Sequence, residues 1–400
     1  MPPESMPLWP LLATVAVQTL ATASLYSMPT LAPEVARDLG VNGVLVGGFV
    51  ATAYGVGILS ALLSPGLILR YGGVRATQTV LLAACGMLIL AAASTGLASL
   101  GFAAVVLGLG YGAAAPASTH LLAPRTPRSV FNMIMSLRQI GVPLGGVFAA
   151  LILPPLVFRL GWRAALLAEL VPIVLLILLM EIPRATWDSG RDPTARPWGR
   201  TLLQPFLLLR DPRIRRLSAA GFVYSGLSIS MVSFMTVHLT TVAGYGLVRA
   251  GQMLAVYQIA GSASRPVWGW IADRFLTPAR TLALLGVGMA GAAVLIGRIG
   301  AEWAGMAVFA TVLLAGVTAG GYTGVAYAEY ASLGGVRRTE ATGLGTALLF
   351  GGSLVFPPLF GMWVTYAGGY ESAYAVMAVL ALASGVLMAL PPAPVGTARG

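Results

Sequence analysis

Two arginines interrupt stretches that otherwise read as hydrocarbon. One stands in Gln258-Ile-Ala-Gly-Ser-Ala-Ser-Arg265-Pro266-Val-Trp-Gly269-Trp-Ile-Ala-Asp273-Arg274, the other in Ser136-Leu-Arg138-Gln139-Ile-Gly141-Val-Pro143-Leu-Gly145. An arginine at the centre of a membrane helix costs roughly 2.5–3.5 kcal/mol on insertion scales, and it persists where it faces a cavity or a partner. Asp273 follows Arg265 by eight residues, which sets Arg265 roughly 12 Å inside that helix end, near the middle of a core roughly 30 Å thick. Arg138 lies at about the same depth in its own stretch. Two guanidiniums on one pathway repel unless an anion sits between them, and their planar forks suit a carboxylate. The structural alternative is that each is bonded to helix carbonyls or to a fixed acid.

Other polar groups cluster around this pair. Gly141 and Gly145 follow Arg138 at i+3 and i+7, one helical face that admits a close neighbour. Gln258, Ser262, Arg265 and Gly269 form a similar stripe, so Gln139 and Gln258 are expected to assist the arginines. Tyr54, Tyr111, Tyr257 and Tyr322 sit well inside apolar stretches, where a buried hydroxyl finds a partner; pocket lining and core packing both stay open for them. Candidates for proton coupling are Glu169, Glu329 and His120. Each also has a plainer reading: a packing partner for Glu169, a gate or loop ion pair for Glu329, and an interfacial hydrogen bond for His120 and for His238. Gly108-Leu-Gly110-Tyr-Gly112 lies inside a helical stretch with no strand before it, so it reads as helix packing rather than a nucleotide loop.

Positioning these groups requires a membrane. Hydrophobic residues make up 57% of the 400-residue chain and charged residues 9%, against about 25% charged in soluble domains. Fifty glycines fit close helix packing in lipid. The single Cys85 excludes a disulfide framework and a cysteine metal site; neither a metal nor a cofactor is expected. All 24 basic residues are arginine, and without lysine there is no Walker-type phosphate loop.

Apolar runs of about 20 residues number twelve, at 9–29, 43–65, 75–96, 99–123, 129–155, 162–183, 214–236, 246–270, 280–300, 304–328, 341–363 and 372–390. The first is expected to be a span, since no basic region or small-residue cleavage site accompanies it. The fold class is therefore an all-α membrane protein of twelve helices in two pseudo-symmetric six-helix bundles: 1–183, a cytoplasmic linker 184–213, and 214–400. With the N-terminus inside, seventeen arginines fall on cytoplasmic segments and five outside, leaving Arg138 and Arg265 within the membrane. That bias follows the positive-inside rule, places both termini in the cytoplasm, and accounts for the net charge of +11 without nucleic acid. At an offset of 203 residues, Gly48, Tyr54 and Gly66 match Gly251, Tyr257 and Gly269, and repeats of six spans place a substrate site at their interface near midplane.

In these features the chain resembles the major facilitator superfamily along essentially all of its length. The family's signature loop is Gly, three residues, Asp-Arg, one residue, Gly. After the eighth span Gly269, Asp273 and Arg274 match it; after the second, Gly66, Arg70 and Gly73 do, with Arg70 where the acid belongs. The resemblance implies that the acid holds a cytoplasmic gate by bonding to a neighbouring helix N-terminus, so only Asp273 can do so here. More narrowly, Ser264-Arg265-Pro266 resembles the eighth helix of oxalate/formate antiporters and monocarboxylate transporters, where an arginine before proline contacts a carboxylate. The antiporters' lysine in helix 11 and the monocarboxylate acid four positions before the arginine, here Gly261, are absent.

The function expected is secondary active transport of a small organic anion by alternating access, coupled to protons or to a counter-anion. The chain would act as a monomer in a bacterial cytoplasmic membrane, with no nucleic-acid partner. A proton-driven exporter of drug-like or amphipathic compounds is the alternative, favoured by the Gly-rich cavity and by Gly141-Val-Pro143-Leu-Gly145-Gly146, which loosely matches an exporter motif. A non-transporting receptor would be expected to carry longer tails. No nucleophile–base or metal constellation points to an enzyme.

Overall fold

The computed structural model describes residues 7–40, 43–195 and 204–391. Arg196, Arg200 and Arg399, counted above among the cytoplasmic arginines, lie outside the described residues, as does part of the expected linker. In hydrocarbon every backbone N–H and C=O must be satisfied within its own segment, which leaves the helix as the default for a chain this apolar. The order is α1 (Leu8–Leu39), α2 (Gly43–Tyr71), α3 (Gly73–Ala92), α4 (Leu97–Tyr111), α5 (Ala114–Leu122), α6 (Phe131–Arg138), α7 (Gly141–Leu160), α8 (Trp162–Ala168), α9 (Leu170–Glu181), α10 (Arg184–Trp187), α11 (Pro212–Thr241), α12 (Leu247–Arg274), α13 (Pro278–Gly297), α14 (Gly305–Ala319), α15 (Thr323–Gly334), α16 (Arg338–Trp363) and α17 (Gly369–Ala389). Among the described residues there is no strand.

Nine stretches of the described residues are long and apolar enough to cross a membrane. The last, Gly305–Ala389, contains three of the expected spans. The eighth expected span, α12, is not among the nine, because Arg249, Gln252, Gln258, Ser262, Ser264 and Arg265 dilute its hydropathy; its 28 residues still reach about 42 Å. The outer surface is inverted relative to a soluble protein. Phe158, Leu151, Val171 and Ile182 are all more than two-thirds exposed, and α9 buries only Ile173 and Met180, as a helix apolar all round does when its solvent is lipid.

Four expected spans are broken rather than continuous. Residues 99–123 divide into α4 and α5, 129–155 into α6 and α7, 162–183 into α8 and α9, and 304–328 into α14 and α15. The breaks fall beside the residues singled out above.

The chain forms two compact units. The first comprises Met1–Pro127, Arg138–Pro205 and Val336–Ala347; the second comprises Arg128–Leu137, Phe206–Gly335 and Leu348–Gly400. Each includes a short piece from the far part of the sequence. Gly343 packs on α2, where an added Cβ would lie 2.5 Å from the Ala61 carbonyl oxygen. Gly324 packs on Ser136 so closely that a Cβ there would run into the Ser136 backbone.

Candidate functional site

In the second unit the site is built where α14 stops. The last carbonyls of a helix have no intrahelical partner, and here α12 supplies the donors. Trp268 Nε1 and Ser264 Oγ donate to the Val317 carbonyl at 2.8 and 3.1 Å, and Arg265 Nε donates to the Gly320 carbonyl at 3.0 Å. A cation at a helix C-terminus is favoured by the helix dipole, so Arg265 is anchored at the electronegative end of α14. Glycines permit the approach: a Cβ on Gly320 would lie 2.6 Å from Gly261 Cα. Pro266 follows within the same helix, removing an N–H that would otherwise satisfy the Ser262 carbonyl. Arg265 and Ser262 are half-buried and Gln258 is exposed along α12. Tyr257 and Tyr322 are buried within this unit: the Tyr257 hydroxyl is 3.0 Å from Ser228 Oγ, and Tyr322 meets Tyr224 edge-on at 5.7 Å.

The first unit repeats the construction. Ser60 Oγ donates to the Gly108 carbonyl at 2.8 Å, and Gly112 abuts Gly57 so closely that a Cβ would strike its carbonyl. Ser60 and Ser264 are thus the same part in two copies, and the sequence reading missed both; shifting the internal offset by one residue aligns them. Tyr111 lies edge-on to Tyr54 at 6.1 Å, and its hydroxyl is 3.1 Å from Thr22 Oγ1, which also accepts from Gln18 Nε2 at 3.1 Å. Arg138 ends α6 and is fully buried; Gln139, in the turn that follows, is 5% exposed. Gly141 and Gly145 pack on α1, with added Cβ atoms 2.8 Å from the Val15 oxygen and 2.5 Å from the Thr19 oxygen. The break after Arg138 corrects the single face drawn from Arg138 through Gly145: the two glycines belong to the next helix, and their face is set by α1.

The signature loops differ as their sequences do. Asp273 accepts from the backbone N–H of Asn132 at 3.1 Å, from that of Met133 at 2.9 Å, and from Asn132 Nδ2 at 2.7 Å, a carboxylate seated on the N-terminus of α6. Gly269 lies one turn earlier, where a Cβ would be 2.7 Å from the Asn132 oxygen. Arg274 is exposed. In the first unit Gly66 is buried and Gly73 packs on Leu121, while Arg70 donates to the Ala195 carbonyl at 3.2 Å and lies over the Tyr71 ring. Arg70 therefore contacts the linker, not a helix N-terminus. The first turn of α16 carries its own acid, Glu340, paired with Arg337. A further acid went unread in the sequence because its partners lie more than a hundred residues away: Asp188 accepts from the N–H groups of Val74 at 2.9 Å and Arg75 at 3.3 Å, at the start of α3.

The coupling candidates are scattered. Glu169 is 4% exposed at the α8–α9 break and accepts from Ser27 Oγ of α1 at 2.6 Å. His120 Nδ1 is 3.1 Å from Thr339 Oγ1, Glu329 is half-buried on α15, and His238 Nε2 is 3.0 Å from the Ile296 carbonyl. No group of three or more His, Cys, Asp or Glu side chains among the described residues could hold a metal.

The profile of the Major Facilitator Superfamily matches residues 11–334. The chain is 27% identical over 287 residues to the 4-hydroxybenzoate transporter PcaK of Pseudomonas aeruginosa, spanning 62% of this chain and 62% of that relative's length. It is 27% identical over 362 residues to the 3-(3-hydroxy-phenyl)propionate transporter of Escherichia coli K12, covering 86% of this chain and 82% of that one. The structure superimposes on the crystal structure of the human organic anion transporter MFSD10 with a TM-score of 0.74 at 17% identity, over 97% of this chain and 100% of the other. With the helical fold, the apolar stretches and this match over most of its length, the chain belongs to the Major Facilitator Superfamily and is a multi-pass membrane transporter rather than an enzyme.

Proposed function

We propose that the protein carries a hydroxylated aromatic carboxylate across a bacterial cytoplasmic membrane by alternating access, with both termini cytoplasmic and a proton or counter-anion as the coupled species. The observation that carries this reading is Arg265, half-buried in the C-terminal third of α12 with its Nε held by the Gly320 carbonyl at 3.0 Å. That bond fixes the direction of the guanidinium, and a preset fork loses less freedom on meeting a carboxylate. Two relatives named for phenolic acids support the ring, where the resemblance of α12 alone suggested oxalate or simpler monocarboxylates. Arg138, Gln139 and Gln258 assist, with Tyr54, Tyr111, Tyr257 and Tyr322 behind them. Gly269, Asp273 and Arg274 after α12, and Gly66, Arg70 and Gly73 after α2, are the gate residues of this reading. Glu169, Glu329 and His120 remain the coupling candidates.

The test is uptake of radiolabelled 4-hydroxybenzoate into proteoliposomes by wild type, Arg265→Lys and Arg265→Gln. The reading expects uptake to fall at least tenfold in Arg265→Gln and to be partly retained in Arg265→Lys, which keeps charge but lacks the fork. Equal uptake by wild type and Arg265→Gln removes the reading. In that case the Gly320 bond is the whole role of Arg265, and an exporter of drug-like compounds becomes the better description.

A further inference from the structure

Two cavities of the first unit share one guanidinium, that of Arg191. The larger, about 620 Å³, runs along Leu59, Leu63 and Leu67, with Leu109 of α4 opposite, and ends at Tyr71, Arg75 and Arg191. Leu59, Leu63 and Leu67 recur every four residues and so form one face of α2, about 12 Å long. Leu59 is 50% and Leu109 61% exposed, and in a membrane transporter such side chains meet acyl chains. The smaller cavity, about 340 Å³, lies beyond Arg191 and is lined by Arg184, Ala185, Asp188 and Ser189. An apolar trough and a polar, basic cup therefore share the Arg191 side chain.

The charges do not balance. Arg75, Arg184 and Arg191 line the two cavities, with Arg70 over the Tyr71 ring and Arg125 on the Trp187 carbonyl close by; the acids beside them are Asp188, Glu181 and Asp192. The Asp188 carboxylate is occupied by the amides of Val74 and Arg75, and Glu181 is shared between Arg75 at 3.1 Å and Arg184 at 2.7 Å. The Asp192 carboxylate is taken up by the N–H and hydroxyl of Thr194 at 2.9 and 2.5 Å, so five arginines face three carboxylates and two positive charges are left over. A soluble anion would satisfy the cup but leave the trough empty; a neutral lipid would fill the trough but not the charge.

We propose that this cleft is a binding site for an anionic glycerophospholipid, its phosphate at Arg191 and one acyl chain along the Leu59–Leu63–Leu67 face of α2. The site is assembled from the α2–α3 turn and the start of the linker, which are tied together by the bond from the Asp192 N–H to the Leu69 carbonyl at 2.9 Å and from Arg70 to the Ala195 carbonyl at 3.2 Å. A lipid there braces the linker against the first unit. The proposal does not depend on which substrate is carried.

The experiment is native mass spectrometry of the detergent-solubilised full chain titrated with 1-palmitoyl-2-oleoyl phosphatidylglycerol or the matching phosphatidylcholine, for wild type, Arg191→Glu and Leu63→Trp. Inorganic phosphate serves as competitor. Wild type is expected to retain phosphatidylglycerol in preference to phosphatidylcholine. Arg191→Glu reverses a charge by two units and is expected to weaken phosphatidylglycerol by about 30-fold while leaving phosphatidylcholine unchanged. Leu63→Trp fills the trough and is expected to weaken both lipids. Both positions are on the surface of the first unit, and an unchanged thermal midpoint in detergent alone verifies that each variant is folded. Equal retention of the two lipids by wild type, no effect of Arg191→Glu, or displacement of phosphatidylglycerol by millimolar phosphate each overturns the proposal.

Discussion

Removing the negative charge of Asp273 is expected to loosen the start of α6 without unfolding the protein. The carboxylate uses both oxygens: Oδ1 accepts from Asn132 N and Nδ2, and Oδ2 from Met133 N. In Asp273→Asn one oxygen becomes an NH2 group, which faces a donor and cannot accept, so at least one of these charge-assisted bonds is lost. Such a bond contributes about 1.5–3 kcal/mol, and a carboxylate at a helix N-terminus about 0.3–1 kcal/mol more. The sum, about 2–4 kcal/mol, raises the population of the locally open form roughly 30- to 1000-fold. Hydrogen exchange reads that population directly. The peptide covering 128–137 in Asp273→Asn is predicted to exchange faster by that factor at Asn132 and Met133, while the peptide covering 72–76, capped by Asp188, is unchanged. Asp188→Asn gives the reverse pattern. Equal exchange at 128–137 in wild type and Asp273→Asn would refute the assignment of Asp273 as the anchor of this segment.

Two further outcomes follow from the packing and from a surface carboxylate. Gly324→Ala places a methyl against the Ser136 backbone and is expected to destabilise the second unit by about 1–3 kcal/mol; a scan of thermal unfolding detects it, and combining it with Ser136→Gly, which leaves the backbone in place, should not restore it. Asp38 is held below the ordinary carboxylate value by its hydrogen bond from Arg163, helped by one from Trp162 Nε1 at 3.1 Å. A depressed carboxylate contributes stability above its unfolded value of about 3.9, and that contribution is lost as pH falls through the lower, folded value. The tryptophan emission difference between wild type and Asp38→Asn is therefore expected to be constant from pH 8 to 5 and to disappear only in strong acid.

Membrane spanning and the helical class were legible because both depend on composition and on the length of apolar runs. The lopsided signature loops were legible too: Arg70 replaces the acid of one, and the structure finds it on the linker while Asp273 sits on α6. The helix breaks were not. Residues 99–123 and 304–328 carry no acid, lysine or arginine and residues 129–155 only Arg138, so hydropathy draws them as continuous, whereas Gly112 on Gly57 and Gly320 on Gly261 are approaches between distant parts of the chain that periodicity does not encode. The same holds for Ser60 and Ser264, whose acceptors exist only because α4 and α14 end where they do. Asp188 was invisible for a related reason. It caps α3 from the far side of seven helices, α4 to α10, with no local signal of a capping residue.

The most direct test of carboxylate recognition by Arg265 is calorimetric titration of the purified protein with 4-hydroxybenzoate and with its neutral, similarly shaped amide, 4-hydroxybenzamide. Wild type is predicted to bind the acid and not the amide, and Arg265→Gln to lose the acid without gaining the amide. Equal affinity of wild type for acid and amide, or undiminished binding of the acid by Arg265→Gln, would contradict the account.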